Sequence, residues 1–120
     1  MEFTENKAIY IQIADFIEDK VLSGEWLPDE RIPSVRDLAA SLSVNYNTII
    51  RAYEWLQQKG VVYEKRGLGH FVALEAPQKL IVERRQEFVS VVLPSVFKKM
   101  ALLDFSIAEL NVYYKKNEKR

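Results

Sequence analysis

A chain of 120 residues, 48% hydrophobic and 28% charged, has the size and balance of one soluble globular domain with a modest core and room for a short helical extension. It has no cysteine, which excludes disulfides, thiolate metal ligands and cysteine nucleophiles, and no apolar run of about 18 residues that could cross a bilayer. The net charge of zero hides an uneven distribution: residues 1–30 hold two basic and eight acidic side chains (−6), residues 31–72 six and three (+3), and residues 76–120 nine and five (+4), so a surface for a polyanion must be local.

Glu2 and Glu5 precede any apolar stretch, unlike a signal peptide, and a cytoplasmic location is expected. From Ala8 to Leu22, Tyr10, Ile13, Ala14, Ile17 and Val21 recur at three- and four-residue steps opposite Gln12, Asp15, Glu18 and Asp19, which predicts an amphipathic helix closed by Ser23-Gly24. Ser34 caps a second, short helix running to about Leu42, with Asp37 in its first turn. Ser43-Val44 separates it from a third, capped by Asn45 and buried along Ile49, Ala52, Tyr53 and Leu56. Two short helices joined by so tight a turn form a helix-turn-helix. Gly60 ends the third helix, and Val61–Lys65 and Phe71–Leu74 read as strands of a hairpin, a wing whose glycines, Gly67 and Gly69, suit a tip needing positive φ. Pro77 opens a fourth helix, expected from about Gln78 to Leu103 with a kink at Pro94. Ser106-Ile107-Ala108-Glu109 is a capping box that starts a last helix to about Lys116, and Lys115 to Arg120 is expected to fray. The expected fold class is mainly α with a small β-hairpin: a winged helix-turn-helix over residues 1–75 and a helical dimerisation segment over 76–120.

The stretch from Ile9 to Val72, IYIQIADFIEDKVLSGEWLPDERIPSVRDLAASLSVNYNTIIRAYEWLQQKGVVYEKRGLGHFV, resembles the N-terminal domain of the GntR superfamily of bacterial regulators. The short remainder points to its YtrA-like subfamily, where the resemblance implies a compact helical dimerisation segment in place of a large effector-binding domain. Carried over, the pattern sets Ser34 and Arg36, then Asn45, Tyr46, Asn47 and Thr48, against DNA, with Gly67 and Gly69 at the wing tip. The exposed start of a helix offers N–H groups to phosphate and short polar side chains to base edges. Arg36 suits a bidentate contact to guanine, and Asn45 or Asn47 a contact to adenine, although Asn45 serves equally as a cap alone. Arg51 lies in the same basic region as a further contact, or as a plain surface arginine. Four positions depart from the pattern: Asp29 replaces a turn glycine and is expected to change loop geometry, Tyr46 replaces Arg or Pro, Ile50 a polar or basic residue, and His70 a threonine after the wing glycines, where it could donate to a phosphate.

One lone histidine is a poor metal site, and no metal or other cofactor is expected; Tyr10, Trp26, Tyr53 and Trp55 read as core or interface aromatics rather than a base-stacking platform. In the C-terminal segment the apolar residues surround the helix, so Phe88, Val92, Val96, Phe97, Met100 and Leu103 are expected to meet a second copy. The expected function is a transcriptional regulator, most simply a nucleoid-associated repressor, binding double-stranded DNA at a palindromic operator as a homodimer, without membrane partner or dedicated small-molecule effector. A winged helix used purely for protein interaction is the alternative. An enzyme is disfavoured by the lack of a nucleophile with its base.

Overall fold

A computed structural model describes residues 1–118, in the order α1 (Ile9–Leu22), α2 (Val35–Leu42), α3 (Tyr46–Lys59), β1 (Val62–Lys65), β2 (Gly69–Val72), α4 (Ala76–Glu87), a π-helical turn (Phe88–Val92), α5 (Leu93–Leu102) and α6 (Ile107–Glu118). The mainly helical fold with a two-stranded antiparallel hairpin is the expected one. It divides into two compact units, one from Met1 to Val82 and one from Glu83 onward.

The first unit is built on α3. Ile13, Ile17 and Val21 of α1, Leu38 of α2, and Ile49, Tyr53 and Leu56 of α3 form one apolar cluster closed by Val61 and Val72 of the hairpin. Full burial of each large aliphatic is worth about 1.5–3 kcal/mol, so the stripe read at three- and four-residue steps is what holds the helices together. Two buried polar residues on α1 are satisfied. Gln12 accepts from the Thr4 N–H and donates to the carbonyls of Thr4 and Lys7, tying the N-terminal segment down. Glu18, 2% exposed at its side chain, takes Lys59 Nζ at 2.7 Å and so joins α1 to the end of α3.

Residues 29–32 run along the outer edge of β2 through Asp29 N–H to Val72 O, Val72 N–H to Glu30 O and Ile32 N–H to His70 O, giving the hairpin an extra backbone edge. Asp29 reaches that position at φ +64°, a left-handed conformation. A glycine would enter the same region of φ without strain. The side chain is held by a hydrogen bond from the Tyr63 hydroxyl at 3.0 Å. Asp29→Ala is expected to cost about 1–2 kcal/mol and Asp29→Gly less than half of that, because alanine meets the left-handed penalty without the local bond. Equal losses in urea denaturation would assign the effect to Tyr63 instead of the backbone.

Several boundaries differ from the sequence expectation, among them the second strand, which spans Gly69–Val72 instead of Phe71–Leu74. The fourth helix begins at Ala76, and Ala76 and Leu80 are fully buried in the first unit's core. The irregularity expected at Pro94 lies just upstream, as the π-helical turn in which Leu93 N–H reaches Phe88 O. A proline ring collides with the carbonyl four residues back in a regular α-helix, and the wider turn relieves it at the cost of one extra residue. Ser90 Oγ donates to the Gln86 carbonyl at 2.8 Å inside the same stretch. The last helix runs to Glu118 through residues expected to fray; Lys119 and Arg120, in the same expected tail, lie outside the described residues.

In the second unit none of the described residues is buried. Phe105 stacks loosely on Tyr113 with ring centroids 5.8 Å apart, and the capping box forms as expected, with Ser106 Oγ accepting from Glu109 N–H and Glu109 Oε1 from Ser106 N–H.

Candidate functional site

Two helix starts in the first unit carry the candidate residues. Ser34 Oγ accepts from Asp37 N–H at 3.1 Å and caps α2, leaving Arg36 exposed on its first turn. At the other end Ser43 turns left-handed at φ +54°, and Val44 N–H returns to Ala39 O, which makes the tight corner into α3. Asn45 Oδ1 accepts from Asn47 N–H at 2.8 Å. The carboxamide oxygen of Asn45 is thus engaged as a cap, and its NH2 group is what remains to meet a base. Tyr46, 51% exposed, and Asn47 project from the first turn, while Thr48 and Ile50 are half-buried. The corner is locked from below: the buried Tyr53 hydroxyl donates to the Pro33 carbonyl at 2.6 Å, so the residue before the α2 cap hangs from the middle of α3. Burial, with a smaller contribution from Asp37, pushes that hydroxyl's pKa well above the ordinary tyrosine value, and it stays a donor at any physiological pH.

Arg51, exposed one turn beyond Asn47, lies over the ring of Tyr10 from α1, its guanidinium carbon 4.1 Å from the ring centroid. Tyr10 in turn meets Trp55 edge-on at 6.2 Å. Ala8, Ile9, Tyr10, Asn47, Thr48 and Arg51 line a shallow hollow where the start of α1 faces α3.

The wing turns at Lys65–Leu68, closed by Leu68 N–H to Lys65 O at 2.9 Å, with Gly67 at φ +78° in the third position, where only glycine is unstrained. Gly69 also has positive φ, at +114°, and a Cβ there would in addition stand 2.8 Å from Nε of the Arg31 side chain. Lys65 lies over Phe71, which stacks on Tyr63, and Arg66 and Leu68 are exposed at the tip.

The exposed candidates Arg36, Asn45, Tyr46, Asn47 and Arg51 thus all belong to the packed α2–α3 pair, and Gly67 to the turn of the wing. His70 is set apart from the tip. Its side chain is 15% exposed, its ring meets Tyr53 edge-on at 4.8 Å, and its Nε2 stands 3.9 Å from Glu64 across the hairpin. Sequence reasoning missed Arg31, Lys65 and Tyr10 as parts of this surface. A basic residue two positions from a turn was the available signal for Arg31, but its crossing over Gly69 is a tertiary contact. Of the residues expected to pair two copies, Phe88, Val92, Phe97 and Leu103 are exposed and Val96 and Met100 half-buried, all within the second unit. Among the described residues no helix is long and apolar enough to cross a membrane, and no group of three His, Cys, Asp or Glu side chains could hold a metal.

The family model for bacterial regulatory proteins of the gntR family matches residues 9–72. The chain is 36% identical over 109 residues to the HTH-type transcriptional regulator YhcF of Bacillus subtilis, covering 91% of this chain and 88% of that protein. It is 34% identical to the HTH-type transcriptional repressor YtrA of the same organism over 61% of this chain, but spans only 56% of YtrA. A transcriptional regulator of the GntR family from Bacteroides thetaiotaomicron, known from its crystal structure, superposes with a TM-score of 0.71 at 41% identity, covering 94% of this chain and 98% of that one. The DNA-binding domain of AraR in complex with operator ORR3 matches with a TM-score of 0.55 at 33% identity, over 61% of this chain and 86% of that one.

Proposed function

The chain belongs to the gntR family of bacterial regulatory proteins, and from that premise we propose that it is a homodimeric repressor that occupies a two-fold-symmetric operator with one winged helix on each half-site. The observation that carries the reading is the start of α3: a capped helix end bearing exposed Tyr46 and Asn47, with exposed Arg51 one turn on and Arg36 on the helix packed beside it. A major groove admits such a helix, whose first-turn N–H groups and dipole favour phosphate. AraR is bound to its operator through a domain of the same fold and 33% identity, which supports the same use here.

Arg36 is assigned to base reading, Asn45, Tyr46, Asn47 and Thr48 to bases and phosphates at the groove, and Ser34 to holding the start of α2. Gly67 lets the wing turn, with Arg66 and Lys65 supplying its charge. His70 is given a packing role against Tyr53 instead of a phosphate contact. Pairing is assigned to the second unit through Phe88, Val92, Val96, Phe97, Met100 and Leu103, since it presents apolar side chains and its described residues bury none. Repression then follows from occupancy of the promoter, and cytoplasmic action at the nucleoid goes with it.

The test is selection of bound duplexes from a randomised library near physiological salt, then titration of the winner over a salt series. A palindromic motif with half-sites about one helical turn apart, bound with salt-dependent affinity, is the expected result. No enrichment over unrelated duplexes would sink the reading. Arg36→Ala should weaken the selected duplex by about 10- to 100-fold and relax the preference at one base pair per half-site, with the circular dichroism melt unchanged. A uniform loss across all sequences would move Arg36 from base to phosphate.

A further inference from the structure

We propose that Tyr10 is a positioning residue of the DNA-binding surface, its ring holding the Arg51 guanidinium in place for a phosphate oxygen. The inference rests on the DNA-binding reading and adds to it a residue from α1, outside the helix-turn-helix and the wing.

The geometry is specific. Arg51 extends from the exposed side of α3, one turn after Asn47, and its guanidinium carbon lies over the Tyr10 ring, 4.1 Å from the centroid. Glu54 is three residues further along the same helix, within the ordinary reach of an intrahelical ion pair, yet Arg51 makes no ion pair or hydrogen bond among the described residues. The ring, not a carboxylate, fixes the arginine. This matters for what the group can do next. A guanidinium carries five N–H donors, and a ring beneath it takes up none of them as acceptor, whereas a carboxylate partner would occupy them. A free surface arginine must also give up rotamer freedom to bind, and a stacked one has given it up already. Tyr10 is itself held: it packs against the core and meets Trp55 edge-on, so the platform does not move with its load. The hollow beside it is lined by Asn47, Thr48 and the first residues of α1, the side on which α3 presents its polar first turn.

The arrangement also accounts for Tyr10 within the apolar stripe of α1. A leucine would serve the core as well, but only an aromatic face attracts a cation.

Four variants separate positioning from packing: Tyr10→Phe, Tyr10→Leu, Arg51→Ala and the double variant Tyr10→Leu/Arg51→Ala, each titrated against the selected duplex over a salt series after a melt confirms the fold. Tyr10→Phe keeps the ring and should bind within about twofold of the parent, whereas Tyr10→Leu should bind about five- to tenfold more weakly, the range expected for losing one cation–ring contact at a phosphate site. The slope of log affinity against log salt should fall by about one for Tyr10→Leu and for Arg51→Ala alike, and the double variant should be no weaker than Arg51→Ala alone. A role in stability alone would leave the slope unchanged and add to the arginine loss; either result overturns the proposal. So does a Tyr10→Phe variant as weak as Tyr10→Leu, since the hydroxyl would then be the contact. A parent chain that selects no duplex defeats the DNA-binding reading itself, and this inference with it, an outcome distinct from normal parent binding that Tyr10→Leu does not change.

Discussion

Leu80→Ala is expected to destabilise the first unit by about 2–5 kcal/mol, the range for emptying a fully buried leucine site. In a unit of this size that corresponds to a fall in Tm of roughly 10–30 °C. The reason is the place of α4. Its first two turns bring Ala76 and Leu80 into the same cluster as Ile13, Tyr53 and Leu56, and Lys79 Nζ reaches the Lys59 carbonyl at the end of α3. The start of the C-terminal segment is therefore part of the winged helix, and the division falls after Val82. Gln78→Ala, on the exposed side of the same turn, should change stability by no more than about 0.5 kcal/mol. If Leu80→Ala proved as mild as Gln78→Ala in urea denaturation, α4 would have to be read as an attached arm and not a core element.

On the proposed pairing, the double substitution Phe88→Glu/Phe97→Glu should leave the protein monomeric by sedimentation velocity where the parent is a dimer. These side chains are 51% and 50% exposed, so about half of each surface remains to be covered. With two residues in each of two copies, full burial at about 1.5–3 kcal/mol each scales to roughly 3–6 kcal/mol, or about 10²- to 10⁴-fold in dimer dissociation, before the cost of burying four carboxylates. Operator affinity should fall by at least about 100-fold as two linked half-sites become two separate events. The first unit should melt as before, since neither residue belongs to it. A variant that stayed dimeric would place the pairing surface elsewhere.

Local chemistry was readable in the sequence and tertiary chemistry was not. The Ser34 and Asn45 caps are bonds to N–H groups two and three residues away, so composition and spacing contain them in full. The same holds for the Ser106–Glu109 box and for the three- and four-residue stripes of α1 and α3. The strand-like run of residues 29–32 has no periodicity of its own; its order comes from β2, some forty residues later. Asp29 was recognised as standing in a glycine position, but only the backbone angle shows that the aspartate accepts the glycine conformation. Tyr10 was correctly placed in an apolar stripe, yet its partner depends on how α1 crosses α3. His70 followed the wing glycines in sequence, which suggested the tip, whereas its strand position turns the ring inward to Tyr53.

The π-helical turn at Phe88–Val92 sets the phase of everything after it. An α-helix advances about 100° per residue, so the residue absorbed there offsets the stripes of α5 by that amount from the phase that the sequence would have in an unbroken α-helix. Removing one residue between Glu87 and Pro94 would let an unbroken α-helical ladder form with the side chains of α5 still in the phase that the wider turn gives them. The stretch is thus a place where the chain can differ by one residue in length without turning the side chains that follow.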